Sequence, residues 1–95
     1  MNIIKYQLKE SQYVKEKTNK TGIVFHHTAG NKSALSVAKD WDNDRRGKVA
    51  TCYIIGYDGE VVQCFDESHW AYALGIGNSK IEQSLIQIEL CSWGF

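Results

Sequence analysis

Apolar and polar positions divide the chain into a few short elements. Gly22-Ile23-Val24-Phe25-His26-His27 is a run of β-formers ending in two imidazoles, and it reads as a buried strand. Ser33 is placed to cap a helix over residues 34–41, where Leu35, Ala38 and Trp41 fall at helical spacing with Val37 beside them. That helix is expected to end near Asp44-Arg45-Arg46, before Gly47. Residues 50–57 and 60–65 alternate around Asp58-Gly59 and predict a hairpin. Residues 84–91, centred on Ile86-Gln87-Ile88-Glu89-Leu90, predict a last strand. The remainder is less regular. Residues 1–21 are polar with scattered apolar positions, and residues 11–17 suit a short helix or turn. Asn19-Lys20-Thr21-Gly22 is a turn signal, Gly30-Asn31-Lys32 a loop, and residues 66–83 an irregular stretch rich in aromatics and glycine. Strand, helix, hairpin, loop and strand in that order predict an α/β fold, a mixed central β-sheet packed by helices. A sheet covered on both faces would need more chain than this.

Ninety-five residues make a single domain, 1–95, which buries roughly 60–65% of its unfolded surface. Eleven basic and eleven acidic residues cancel, so the electrostatic footprint of a nucleic-acid binder is missing. No apolar run approaches the ~20 residues of a membrane span, and Met1-Asn2-Ile3-Ile4-Lys5 does not open a signal peptide. The expectation is a chain made in the cytoplasm, with neither nucleic acid nor membrane as partner. Cys52, Cys64 and Cys91 are odd in number and lack CxxC spacing, so they read as small hydrophobes. With a two-residue turn at Asp58-Gly59, Tyr53 pairs with Cys64, and Cys52 faces the opposite side of the sheet from Cys64.

Two positions are candidates for chemistry, each with a plain structural alternative. Neighbouring strand residues point to opposite faces, so His26 shares a face with Val24, and His27 with Ile23 and Phe25. One of the pair can ligate a metal or serve a catalytic site; equally, one is a satisfied core histidine and the other lies at the surface. A catalytic zinc needs at least three protein ligands with water as the fourth, and His69 is the only further histidine. Glu89 shares a face with Gln87 and Cys91, and is either a general base in an apolar strand or a solvated carboxylate. Trp70-Ala71-Tyr72 after His69 suits a core plug or the rim of a sugar-binding groove.

Taken in order, Ile23-Val24-Phe25-His26-His27-Thr28-Ala29-Gly30, the hairpin over residues 49–63, Trp70-Ala71-Tyr72-Ala73-Leu74-Gly75 and Ile86-Gln87-Ile88-Glu89-Leu90-Cys91 resemble the zinc-dependent N-acetylmuramoyl-L-alanine amidases of the type-2 family. That family includes phage endolysins and is related to the peptidoglycan recognition proteins. The resemblance spans residues 10–95 and implies the N-terminal portion of an amidase-like fold, with its C-terminal part absent. It implies peptidoglycan as partner, zinc as cofactor, and action on the cell wall after release. His26 matches the family's first zinc ligand, and Glu89 its general base. His27 is then structural. Thr51 stands where another branch carries a tyrosine. Substrate contacts are expected from His69, Trp70 and Thr51. The family's other zinc ligands, a histidine and then an aspartate or cysteine, lie downstream of the glutamate strand. Ala73 stands where the family usually has histidine, and Gln87 where it has glycine; Gln87 is expected to narrow the site or to face another subunit. A truncated, non-catalytic module that binds peptidoglycan or protein is the alternative, as is a homo-oligomer that completes the site in trans.

Overall fold

A computed structural model of the chain describes residues 2–28, 32–47, 50–74 and 79–91. Part of the loop expected at Gly30-Asn31-Lys32, and Ser92–Phe95, lie outside these. Five strands form one mixed sheet: β1 (Ile3–Lys5), β2 (Gly22–Thr28), β3 (Tyr53–Ile55), β4 (Val61–Gln63) and β5 (Leu85–Cys91). Their order across the sheet is β1-β4-β3-β5-β2. β3 and β4 run antiparallel, while β1 on β4, β3 on β5 and β2 on β5 are parallel. Among the described residues two helices accompany the sheet, α1 (Ala34–Asp42) and the short α2 (Ser79–Gln83). The mixed α/β architecture expected from the order of elements is therefore the one observed.

α1 begins where its cap predicts: the Ser33 hydroxyl accepts the Ser36 amide at 3.2 Å. At its other end Gln12, from a single 3-10 turn over Glu10–Gln12, donates its side-chain amide to the carbonyls of Trp41 and Asp44. Ala34, Val37 and Ala38 are buried, and the helix packs on β3 and β4. With Leu8, Ile54, Val62, Cys64 and Phe65 they form the core on that face. Tyr13 closes it by stacking on Phe65 with ring centroids 5.0 Å apart.

The other face differs from expectation. β2 reads as a buried strand, yet Ile23 is 61% and Phe25 58% exposed. β2 is an edge strand, and its Ile23-Phe25 face has no covering layer among the described residues. Alternation assigns residues to faces; it does not say which face is covered.

The hairpin register is also corrected. Tyr53 pairs with Gln63 and Ile55 with Val61, one residue away from the register of a two-residue turn. The Gly56 amide bonds the Glu60 carbonyl, so the loop is Tyr57-Asp58-Gly59, with Gly59 at φ +88°. This is a three-residue loop whose last residue takes the left-handed conformation that glycine tolerates. As a result Cys52 and Cys64 are cross-strand neighbours, the Cys64 amide bonding the Cys52 carbonyl at 2.7 Å, and do not face opposite sides. The cysteines nevertheless form no disulfide and are buried, as small hydrophobes are.

Candidate active site

Parallel pairing of β2 with β5 sets Val24 beside Gln87 and His26 beside Glu89. Paired residues in a parallel ladder present their side chains to the same face, so the imidazole and the carboxylate share one side of the sheet. They line a cavity of about 60 Å³ with Trp41, Ala50, Thr51 and Ala73. Each wall has a local cause. Trp41, one turn along α1 from the buried Val37 and Ala38, reaches this cavity. Thr51, before β3, is 1% exposed and donates its hydroxyl to the Tyr53 carbonyl at 2.7 Å.

Burial holds the Glu89 carboxyl above the usual glutamate range, with His26 and then His27 pulling the other way. A carboxylate whose proton affinity is raised by its surroundings is suited to taking and returning a proton near neutrality. His26 presents Nε2 to the Gln87 side-chain oxygen at 2.6 Å. Gln87 is 4% exposed, so its side chain turns into the protein and does not face another subunit.

The structure brings His26, Thr51 and Glu89 together and sets His69 and Trp70 apart from them. Trp70 is buried, donates its indole N–H to Glu16 at 3.2 Å and meets Tyr72 edge-on. His69 stacks on Tyr13 with centroids 5.8 Å apart, and its buried Nδ1 has no hydrogen-bond partner among the described residues. Neither lines the cavity that holds His26 and Glu89. Two neighbours of the site were not legible as such. Trp41 reads only as helix core, and Glu82 falls in a stretch with no periodicity.

The donor set does not fit a zinc ion. Among the described residues no three His, Cys, Asp or Glu side chains gather as a metal-binding group. A catalytic zinc needs three protein donors, and among the described residues that line this cavity only His26 and Glu89 could serve.

Residues 16–94 match the family model described as N-acetylmuramoyl-L-alanine amidase, and the chain belongs to that family. Solved structures share the fold. A mutant endolysin from Bacillus subtilis superposes with a TM-score of 0.81 at 21% identity, over 96% of this chain and 61% of that one. The catalytic domain of XlyA gives 0.82 at 20%, over 98% and 63%. PlyL gives 0.82 at 19%, over 96% and 58%. The chain thus spans about six-tenths of the length of these structures. No curated protein sequence matches it significantly.

Proposed function

We propose that this chain carries the first part of a peptidoglycan amidase, one that hydrolyses the amide between the muramic acid lactyl group and L-alanine. The observation that supports this is the facing pair, a half-buried carboxylate of raised proton affinity beside an imidazole, in a cavity walled by Trp41 and Thr51. Amide hydrolysis needs a group that removes a proton from the attacking water and hands it to the departing amine. Glu89 is the residue suited to that task. His26 adds a polar ring beside it, and Thr51 a hydroxyl that donates to the Tyr53 carbonyl and whose lone pairs can accept from substrate. The zinc dependence expected of the family requires donors beyond the described residues to join His26. Action on a cell wall is part of the same proposal; among the described residues no helix is long and apolar enough to cross a membrane.

The test is the release of new alanine amino termini from purified peptidoglycan. It is run with this chain and with a version extended by the C-terminal part of a matched endolysin fold. Hydrolysis by the extended form, lost on Glu89→Gln, is the expected result; no release from that form refutes the proposal. A second reading, a binding module without activity, is favoured by the incomplete donor set. Retention on insoluble peptidoglycan, unaffected by chelator and without hydrolysis, is its signature. A size measurement in solution reports on subunits that complete the site in trans.

A further inference from the structure

Behind the His26 imidazole lies a buried polar chain that amide hydrolysis as described does not use. The Gln87 carboxamide, on the same face of β5 as Glu89, reaches three groups. Its Oε1 lies 2.6 Å from His26 Nε2. Its Nε2 lies 3.5 Å from the Ala71 carbonyl and 3.4 Å from Glu82 Oε1. Glu82, on α2, is fully buried, and its Oε1 accepts the Leu74 amide at 2.7 Å. Its Oε2 has no partner among the described residues.

The two ends of a carboxamide have the same shape, so its orientation follows from its neighbours. With the amino group toward Ala71 and Glu82, a donor meets two acceptors. Reversed, the carbonyl oxygen meets a backbone carbonyl and a carboxylate oxygen, two repulsive contacts in a dry site. Glu82 Oε1 is an acceptor whether or not Oε2 carries a proton, because it already takes the Leu74 N–H. The first orientation is therefore the stable one, and its consequence reaches the imidazole. A carbonyl oxygen at 2.6 Å can only accept, so the facing ring nitrogen must carry hydrogen.

We infer that Gln87, oriented by Glu82 and the Ala71 carbonyl, is a positioning residue that holds neutral His26 as its Nε2–H tautomer and leaves Nδ1 as the only lone pair of the ring. Any proton or cation taken up by His26 then enters at Nδ1, unless Gln87 withdraws. The inference rests on the proposed function only in treating His26 as the imidazole of the site.

The test reads ring nitrogens, not hydrolysis, so the two can fail separately. The 95-residue chain is labelled with 15N-histidine, and long-range 1H–15N spectra are recorded at alkaline pH, where imidazoles are neutral. The His26 signals are assigned by comparison with His26→Asn. The expected wild-type pattern is that of a single Nε2–H tautomer. Gln87→Met keeps the volume but removes the acceptor, and both His26 nitrogens should move toward their averaged position. Glu82→Met removes the acceptor that holds the Gln87 amino group and should move them the same way, which keeps the test decisive if Gln87→Met does not fold. An Nδ1–H or averaged pattern in the wild type overturns the inference. So does a pure Nε2–H pattern that persists in whichever variant folds.

Discussion

Gly56 and Gly59 stand three residues apart in one hairpin, and alanine should be costly at each for a different reason. At Gly59 a Cβ meets nothing within 4 Å, and the cost is the left-handed backbone, φ +88°. That conformation penalises an L-residue by about 1–2 kcal/mol. A less flexible unfolded chain returns about 0.4–1 kcal/mol. The expected net loss for Gly59→Ala is therefore ~1 kcal/mol. At Gly56 the obstacle is steric. A Cβ there would lie 2.9 Å from the Ala34 amide nitrogen, 3.0 Å from Asp58 Oδ1 and 3.4 Å from the Ala34 Cβ. The carboxylate cannot swing away without loss, since it accepts the Glu60 amide at 3.0 Å. The Ala34 nitrogen is backbone in the first turn of α1, so the helix itself must retreat. Overpacking of this kind costs about 1–3 kcal/mol, and ~2 kcal/mol is the expected loss for Gly56→Ala. Because α1 carries Trp41 to the cavity wall, this variant should also shift the NMR signals of the Trp41 indole and of His26, whereas Gly59→Ala should leave them in place. Urea unfolding of both variants, with unchanged slopes, gives the energies. A Gly56→Ala protein within about 0.5 kcal/mol of wild type, the ordinary range for surface changes, would refute the packing argument. So would a Gly59→Ala protein that is the less stable of the two.

Glu89→Gln should abolish hydrolysis while making the folded chain more stable at neutral pH. Burial raises the Glu89 carboxyl above its unfolded value, so its contribution to stability is fully present below the unfolded pKa and is lost as pH rises through the folded one. The melting temperatures of variant and wild type should therefore converge in acid and separate toward neutrality; a variant less stable at pH 7 contradicts the sign. Burial pushes the Cys52 thiol up, and it pushes the Cys64 thiol to about 12. Ellman's reagent should leave both untouched in the native chain and titrate all three cysteines in denaturant, and rapid native labelling of either would show that the core is open there. Zinc should leave the melting temperature of the 95-residue chain unchanged, because the described donors do not form a site. A rise reversed by chelator would show that they do.

How much was legible in the sequence depended on how local each signal is. β5, α1 and the hairpin strands follow from alternation, the Ser33 cap and helical spacing, all of which act within a few residues. β1, three residues long, and α2, five residues long, are too short to show a period, and what organises them is contact with distant chain. β1 exists because β4 offers an edge. Asp58-Gly59 correctly announced a turn, but the same pair suits a two-residue or a three-residue loop, and Gly59 takes the left-handed last position of the longer one. The pairing of His26 with Glu89 is a non-local fact that the family resemblance implied and periodicity alone could not. The Glu82–Gln87–His26 chain was invisible for the same reason: it joins a helix without a pattern, a position that resemblance marked only as unusual, and a strand 61 positions away.

The site depends on one register, and the hydrophobic pattern of β2 does not choose it. As an edge strand, β2 holds to β5 alone. A slip of one residue would turn His26 outward and bring His27 to the site face. Burial resists this weakly, because Ile23 and Phe25 already face solvent. The selection is made just upstream. The Thr21 amide bonds the Ser84 carbonyl at 2.7 Å. The Thr18 hydroxyl donates to the Gln83 carbonyl at 2.5 Å. Lys20 reaches across with its ammonium to the Gln83 carbonyl at 2.9 Å, the His69 carbonyl at 2.8 Å and the Thr18 hydroxyl at 2.9 Å. Burial lowers the Lys20 pKa, and three oxygens offset the lost hydration. From Thr21 to Ser84 the separation is 63 positions, and from His26 to Glu89 it is again 63. Whatever pins the first pair therefore aligns the second. The imidazole and the carboxylate meet because a partly buried lysine and two threonines, none of them in the cavity, fix the strand five residues before it reaches the site.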